Sequence, residues 1–224
     1  MSSFCIKVIA CITMVLDHIK YVSPIFRNFF TEYLGRFSFP LFAFLTVQAY
    51  CHTSDLKKYY KRLILFAIIS QIPFMFFRTL IGEWRMLNIL FTLLFGVVCI
   101  NIYDKVERKY IALPLMIAII VLGNFVNVDY GWFGITTIII MYLLKDKIMF
   151  LPLIYGILVF IFYYTFQGKE YIFETETLLQ MLFTWLSTFL INQYNGEKGK
   201  GIKYFFYWFY PIHMLAVYLL SLIM

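Results

Sequence analysis

Residues 4–22 read FCIKVIACITMVLDHIKYV. A run of this length and apolarity matches what a bilayer crossing needs, about 20 mostly apolar residues. Yet it also holds Lys7, Asp17 and His18. An ionisable group at membrane depth costs about 2.5–3.5 kcal/mol on insertion scales, so each of the three calls for a partner or a task. Lys7 and His18 are eleven residues apart. At about 100° per residue they fall on nearly the same helix face, with His18 about 16 Å further along the axis. Lys7 can extend to the nearer interface. The face then carries a cation near one end and an imidazole deep along it. Asp17 points about 100° away and is poorly placed to orient its neighbour. His18 is either a reactive group or a packing histidine bonded to a backbone carbonyl.

Composition extends the membrane reading to the whole chain. Of 224 residues 62% are hydrophobic and 14% charged, with 26 Phe and 18 Tyr. A soluble domain carries about 25% charged residues and cannot hide this much apolar surface. Apolar runs recur at 34–51, 63–81, 86–103, 111–126, 130–144, 148–166, 176–193 and 204–223, with short polar breaks. Together with the first they predict an all-α, polytopic bundle of about nine transmembrane helices forming one domain, 1–224. The run at 111–126 is short and contains Pro114, so a re-entrant segment is the alternative there. No small-residue cleavage site follows the first run, which is expected to remain as a span. With the N-terminus cytoplasmic and the C-terminus outside, 13 of the 19 Lys and Arg residues fall in cytoplasmic segments. That asymmetry is what the positive-inside rule expects. The net charge of +7 therefore reports basic loops, and nucleic acid is not the expected partner. Cys5, Cys11, Cys51 and Cys99 have no disulfide or zinc spacing.

Further polar groups fall in or beside the spans. YLGRFSFPLFAFLT (33–46) brings Arg36 to the outer depth of Asp17, where an ion pair would spare both the cost of isolation. HTSDLKKYYKRL (52–63) sets Lys57, Lys58, Lys61 and Arg62 beside two tyrosines. Anionic lipid headgroups suit such a loop, and so does a phosphate-rich ligand. The outer side offers Arg78, Asn88 and NVDYGWFG (127–134), in which Asp129 is open to a hydrogen bond from His18 or to an arginine. In GKGIKYFFYWFYPIHML (199–215), Pro211 is expected to interrupt the last helix and free carbonyls near His213. His213 either caps such a carbonyl or belongs to a site.

Two intramembrane histidines and a basic inner loop suit group transfer, because a neutral imidazole can deprotonate an amine or hydroxyl or carry an acyl group itself. A G-x-S-x-G elbow and metal-binding H-E-x-x-H spacing are both missing. The stretches KVIACITMVLDHI (7–19), LGRFSFPLFAFL (34–45), YYKRLILFAIISQIPF (59–74), NILFTLLFG (88–96), DYGWFG (129–134) and FYWFYPIHML (206–215) together resemble the TraX family of membrane acetyltransferases, named for the enzyme that acetylates the N-terminus of conjugative pilin. That family in turn resembles the acyltransferase type 3 membrane enzymes, in which a basic residue and a histidine stand at the spacing of Lys7 and His18.

The resemblance implies a catalytic His18, assisted by Asp17 and His213, and acetyl-CoA as the cytoplasmic donor. It makes Lys7, Lys57, Lys58, Lys61, Arg62 and Lys203 the candidates for the CoA phosphates. Arg36, Arg78, Asn88, Asp129 and Tyr130 are the candidates for an acceptor, a peptide N-terminus or a glycan hydroxyl. The expected location is the bacterial cytoplasmic membrane, among lipids, with no metal. A transporter, or a non-catalytic subunit of an envelope machine, is the alternative.

Overall fold

The computed structural model describes residues 1–83, 85–168, 170–200 and 203–224, and the side chains of residues 203 and 204 lie outside the described set. The described chain forms α1 (Ser3–Ile19), α2 (Phe29–Tyr33), α3 (Ser38–Cys51), α4 (Leu56–Thr79), α5 (Ile89–Lys105), α6 (Lys109–Phe125), α7 (Gly131–Leu143), α8 (Leu151–Gln167), α9 (Thr175–Asn192) and α10 (Lys203–Ile223). Apart from the five-residue α2, these helices match the nine apolar runs one for one. The short run with Pro114 forms a single continuous helix, α6.

Polar side chains set several helix starts. The Ser2 hydroxyl accepts from the Cys5 amide, Asp55 from Lys58 and Asn88 from Leu90. Asn28 and Thr31 exchange side-chain bonds at the start of α2. Each cap satisfies an amide that the first helical turn leaves without a partner.

Contacts fix the helix directions. Lys7 of α1 lies over Phe206 and His18 of α1 meets His213, so α1 and α10 run parallel. Phe66 stacks on Tyr207 and Phe76 on Tyr218, so α4 runs the same way. The C-terminal turns of α3, α5 and α7 meet through Tyr50, Asp104 and Tyr142. One end of the bundle gathers the N-terminus and the loops at 52–55, 106–108, 144–147 and 193–200. There the Ser3 amide donates to the Glu197 carbonyl at 2.8 Å, and the Asn195 amide to the Met1 carbonyl at 3.0 Å. The far end gathers residues 20–37, 80–83, 85–88 and 126–130.

The interior is apolar, with Ile6, Leu41, Val97, Ile100, Ile135 and Ile138 fully enclosed. At Gly96 an added Cβ would lie 2.4 Å from the Ile138 side chain, so α5 and α7 approach closely only because no side chain intervenes. The outside is apolar too. Ile68 and Ile72 of α4, Ile117 and Val121 of α6, and Leu153 and Ile157 of α8 are all exposed. Leu56–Thr79, Ile148–Gln167 and Phe205–Ile223 are each long and apolar enough to cross a membrane, and α6 and α7 are shorter apolar helices. An apolar exterior of this extent belongs in lipid, and the chain is an all-helical membrane protein.

Candidate functional site

α1 separates Asp17 from His18 as helix geometry requires. Asp17 faces Gly35, where an added Cβ would lie 2.7 Å from the Asp17 backbone and side chain. Only glycine lets the turn before α3 sit so close. His18 faces α10 and α4 instead. Its Nδ1 lies 3.0 Å from His213 Nε2, and Phe77 meets the ring edge-on at 4.8 Å. Lys7 and His18 share the side of α1 turned to α10, through Phe206 and His213.

The last helix differs from expectation. α10 continues through Pro211 without interruption. The proline lacks the N–H that would bond the Tyr207 carbonyl. His213 does not cap that carbonyl. Its Nδ1 bonds the Phe209 carbonyl at 3.0 Å, and the Phe209 ring stacks on it at 5.1 Å. The histidine thus bonds a carbonyl of its own preceding turn.

The expected Asp17–Arg36 pair is replaced by a nearer one. Lys20 Nζ lies 2.9 Å from Asp17 Oδ1 and 3.6 Å from Glu32, with only 3% of its side chain exposed. Lys20 sits one turn after Asp17 and reaches it without crossing between helices. Arg36 acts on Asp17 from further away, and its enclosed Nε makes no hydrogen bond of normal geometry among the described residues.

The loop before α7 is tightly held. Leu87 and Val128 form a parallel bridge, and the Asp129 amide donates to the Leu87 carbonyl at 2.9 Å. The Thr92 hydroxyl donates to the Asp129 carbonyl. Tyr130 adopts φ 61° just ahead of α7, and its ring stacks on Phe39 at 4.2 Å. A left-handed tyrosine costs on the order of 1 kcal/mol and persists only where its surroundings fix it. The Asp129 carboxylate forms neither the His18 bond nor an arginine ion pair within 4.0 Å among the described residues. Arg78 acts on it at longer range, while pairing directly with Glu83 and placing Nη2 2.7 Å from Met86 Sδ. Burial pushes the Asp129 carboxyl up to about 6.

His18, His213, Asp17, Arg36, Arg78, Asp129 and Tyr130 thus gather at the far end. Electrostatic coupling links them: Arg78 acts on His18 and on Asp129, and Asp17 acts on Tyr130. Asn88 is close by and fully buried. Its side-chain amide donates to Ala67 and Gln71, and its side-chain oxygen caps α5. Tyr210 was not anticipated. Its enclosed hydroxyl makes no hydrogen bond of normal geometry, and its ring lies 5.6 Å from His213. It lies in the same FYWFYPIHML stretch, two positions before the proline-flanked isoleucine, so the motif itself was the available signal.

The cations proposed for phosphate sit at the opposite end. Lys57, Lys58 and Lys61 are exposed, and Lys58 pairs with Asp55 at 3.2 Å. Arg62 has an enclosed Nε without a bond of normal geometry. It lies one turn before Phe66, which stacks on Tyr207, while Lys7 covers Phe206. Lys7 and Arg62 therefore flank one turn of α10. Lys198 is near enough to repel Lys7. The Lys203 side chain lies outside the described residues. Between α1 and α10 lies an open apolar groove of about 450 Å³, walled by Val8, Ile12 and Leu16 of α1 and by Phe205, Phe206 and Phe209 of α10, which neither Lys7 nor the two histidines line. Among the described residues, no three His, Cys, Asp or Glu side chains converge as a metal site would require.

Comparison with known proteins agrees with this arrangement of motifs. The family model described as TraX protein matches residues 2–221. The chain is 30% identical over 239 residues to the probable fimbrial assembly protein FimC, serogroup H1, of Dichelobacter nodosus, covering 95% of this chain and 93% of that protein. No solved structure matches. With nearly its whole length matched, this chain belongs to the TraX family.

Proposed function

We propose that this protein is a membrane-embedded acetyltransferase that moves an acetyl group from cytoplasmic acetyl-CoA to an acceptor amine or hydroxyl at or beyond the far side of the membrane. The observation that carries this reading is the His18–His213 pair on the side of α1 that also carries Lys7, both turned to α10. His18 has one ring nitrogen on His213 and the other unengaged among the described residues. In this reading the nine long helices cross the bacterial cytoplasmic membrane in alternation, with the basic end inside. Lys7 and Arg62, cations without a carboxylate partner within ion-pair distance among the described residues, would hold the donor's phosphates, with Lys57, Lys58, Lys61 and Lys203 around them. The donor's arm would follow the groove between α1 and α10.

At the far end His18 serves as base, or as transient acetyl carrier. Asp17 holds that end of α1 through Lys20, and Arg36, Arg78, Asp129 and Tyr130 line the acceptor side. The relative in Dichelobacter nodosus, a probable fimbrial assembly protein, makes a subunit of fimbrial appendages a suitable acceptor class, through a peptide N-terminus. It equally favours a second reading, a non-catalytic assembly component.

One experiment separates the two. Purified protein is incubated with radiolabelled acetyl-CoA and membrane extract, and the labelled product is identified. His18→Ala should lose transfer by about 10³-fold or more while still inserting and folding. Full turnover in that variant would exclude His18 as the reacting group, and no transfer by the parent protein would favour the assembly role.

A further inference from the structure

We infer that His213 is a positioning residue that fixes His18 as its Nδ1–H tautomer and so makes Nε2 of His18 the reacting nitrogen. This rests on the acetyltransferase reading for its chemistry but not for its geometry. Two contacts carry it. His213 Nδ1 lies 3.0 Å from the Phe209 carbonyl oxygen, and His213 Nε2 lies 3.0 Å from His18 Nδ1. A carbonyl oxygen only accepts, so His213 Nδ1 carries a proton. In the neutral ring Nε2 then holds a lone pair and accepts. His18 Nδ1 must therefore donate, and its own lone pair lies on Nε2.

The order is directional: the Phe209 backbone fixes His213, and His213 fixes His18. The rings are also held in place, His213 beneath Phe209 with 13° between planes and His18 against the edge of Phe77. Nε2 of His18 bonds no described residue. It is the one imidazole nitrogen of the pair whose lone pair stays uncommitted among the described residues.

The consequence for transfer can be written atom by atom. The acceptor's proton passes to His18 Nε2 as its nitrogen or oxygen bonds the acetyl carbon. The carbon–sulfur bond breaks, and the departing thiolate takes that proton. While the proton is on His18 the ring is cationic, and its Nδ1–H points at a lone pair of His213. With the opposite tautomer, Nε2 would carry a proton at the outset and could accept none. An aspartate performs this orienting task in serine hydrolases; here a neutral ring fixed by a backbone carbonyl does so.

The test uses the full chain in lipid nanodiscs with ¹⁵N-labelled histidine. There are three histidines, and His52, whose Nδ1 lies 2.8 Å from the Gln48 carbonyl, is an internal reference for the Nδ1–H form. The expected spectrum has His18 protonated on Nδ1 and bare on Nε2. In His213→Phe the His18 ring should revert toward the Nε2–H form that free imidazole side chains favour. Transfer should fall about 10²-fold in kcat, with KM for acetyl-CoA unchanged. His213→Gln presents an oxygen able to accept from Nδ1–H, and it should retain both the tautomer and most of the rate. A wild-type His18 protonated on Nε2, or a His18 tautomer indifferent to His213→Phe, overturns the inference. Should His213→Phe not fold, the wild-type and Gln spectra decide. A wild-type protein with the expected tautomer but no transfer would sink the acetyltransferase reading and leave the tautomer assignment standing.

Discussion

Asp104 and Asp129 sit at opposite ends of the bundle, and they use their carboxylates differently. Asp104 accepts from Tyr50 at 2.8 Å and from Tyr142 at 2.5 Å, one hydroxyl on each oxygen. It joins the ends of three helices, with a tyrosine on each of its oxygens. Asp129 is anchored through its backbone, to Leu87 and Thr92, and its carboxylate has no side-chain partner within ion-pair distance among the described residues. Near it stands Tyr210, whose enclosed hydroxyl makes no hydrogen bond of normal geometry. A membrane protein can use polar side chains to hold helices together or to keep binding capacity in reserve. The first kind has side-chain partners and the second has none, which is a stronger guide to function than polarity alone.

The contrast can be broken most forcibly at Asp104. Asp104→Ala leaves two tyrosine hydroxyls to water and removes two bonds to a charged group. The expected loss is about 2–3 kcal/mol of stability, read as a lower midpoint in unfolding from detergent micelles. Transfer per folded molecule should hardly change. A large loss of specific activity at unchanged stability would mean that the saturated cluster is not merely structural.

Asp129 should respond with the opposite sign. Its carboxyl is pushed from 3.8 up to about 6 by burial, so the folded state holds the proton more tightly than the unfolded one. Stability from this group is complete below the unfolded value, falls between roughly pH 4 and 6, and stays reduced above. Asp129→Asn removes the penalty and should stabilise the protein by up to about 3 kcal/mol above pH 6, with the two stability curves merging near pH 4. If Asp129 contacts the acceptor, the same variant should transfer more slowly. A protein that is both more stable and less active is the signature of a polar group kept for use.

The smallest effect belongs to a third aspartate. Asp55 caps α4 from an exposed position, and the Lys58 amide and side chain hold its carboxyl below the usual value. Its contribution is present above the unfolded value and lost as pH falls through the lowered one. Asp55→Ala should shift the unfolding midpoint only slightly, and less at low pH. A shift as large as that of Asp104→Ala would show that the start of α4 carries more than a cap.

Much of this was legible in the sequence, because helix periodicity acts over short range. The nine apolar runs became nine long helices, and the separation of Asp17 from His18 followed from a single turn of geometry. The Asp17–Lys20 pair was equally local, at i and i+3. It was hidden by the more distant Arg36, which matched Asp17 in depth but not in reach. The expected break at Pro211 failed because neighbouring helices outweigh one missing hydrogen bond. The clusters around Asp104 and His18 left no local signal. Tyr50 and Asp104 are 54 residues apart, and His18 and His213 are 195 apart. Such contacts depend on how helices pack, which periodicity does not specify.

That last separation has a consequence for how the protein is made. When His18 leaves the ribosome, 195 residues remain before His213 follows. The Ser3 clasp on Glu197 likewise waits for a loop made late in synthesis. The first helix must therefore form without its final neighbour and exchange provisional contacts for α10 at the end. An aborted chain of any length short of α10 has an unpaired His18 ring, free to take either tautomer. Completion of the polypeptide, and not merely insertion of its first helix, is what orients that ring.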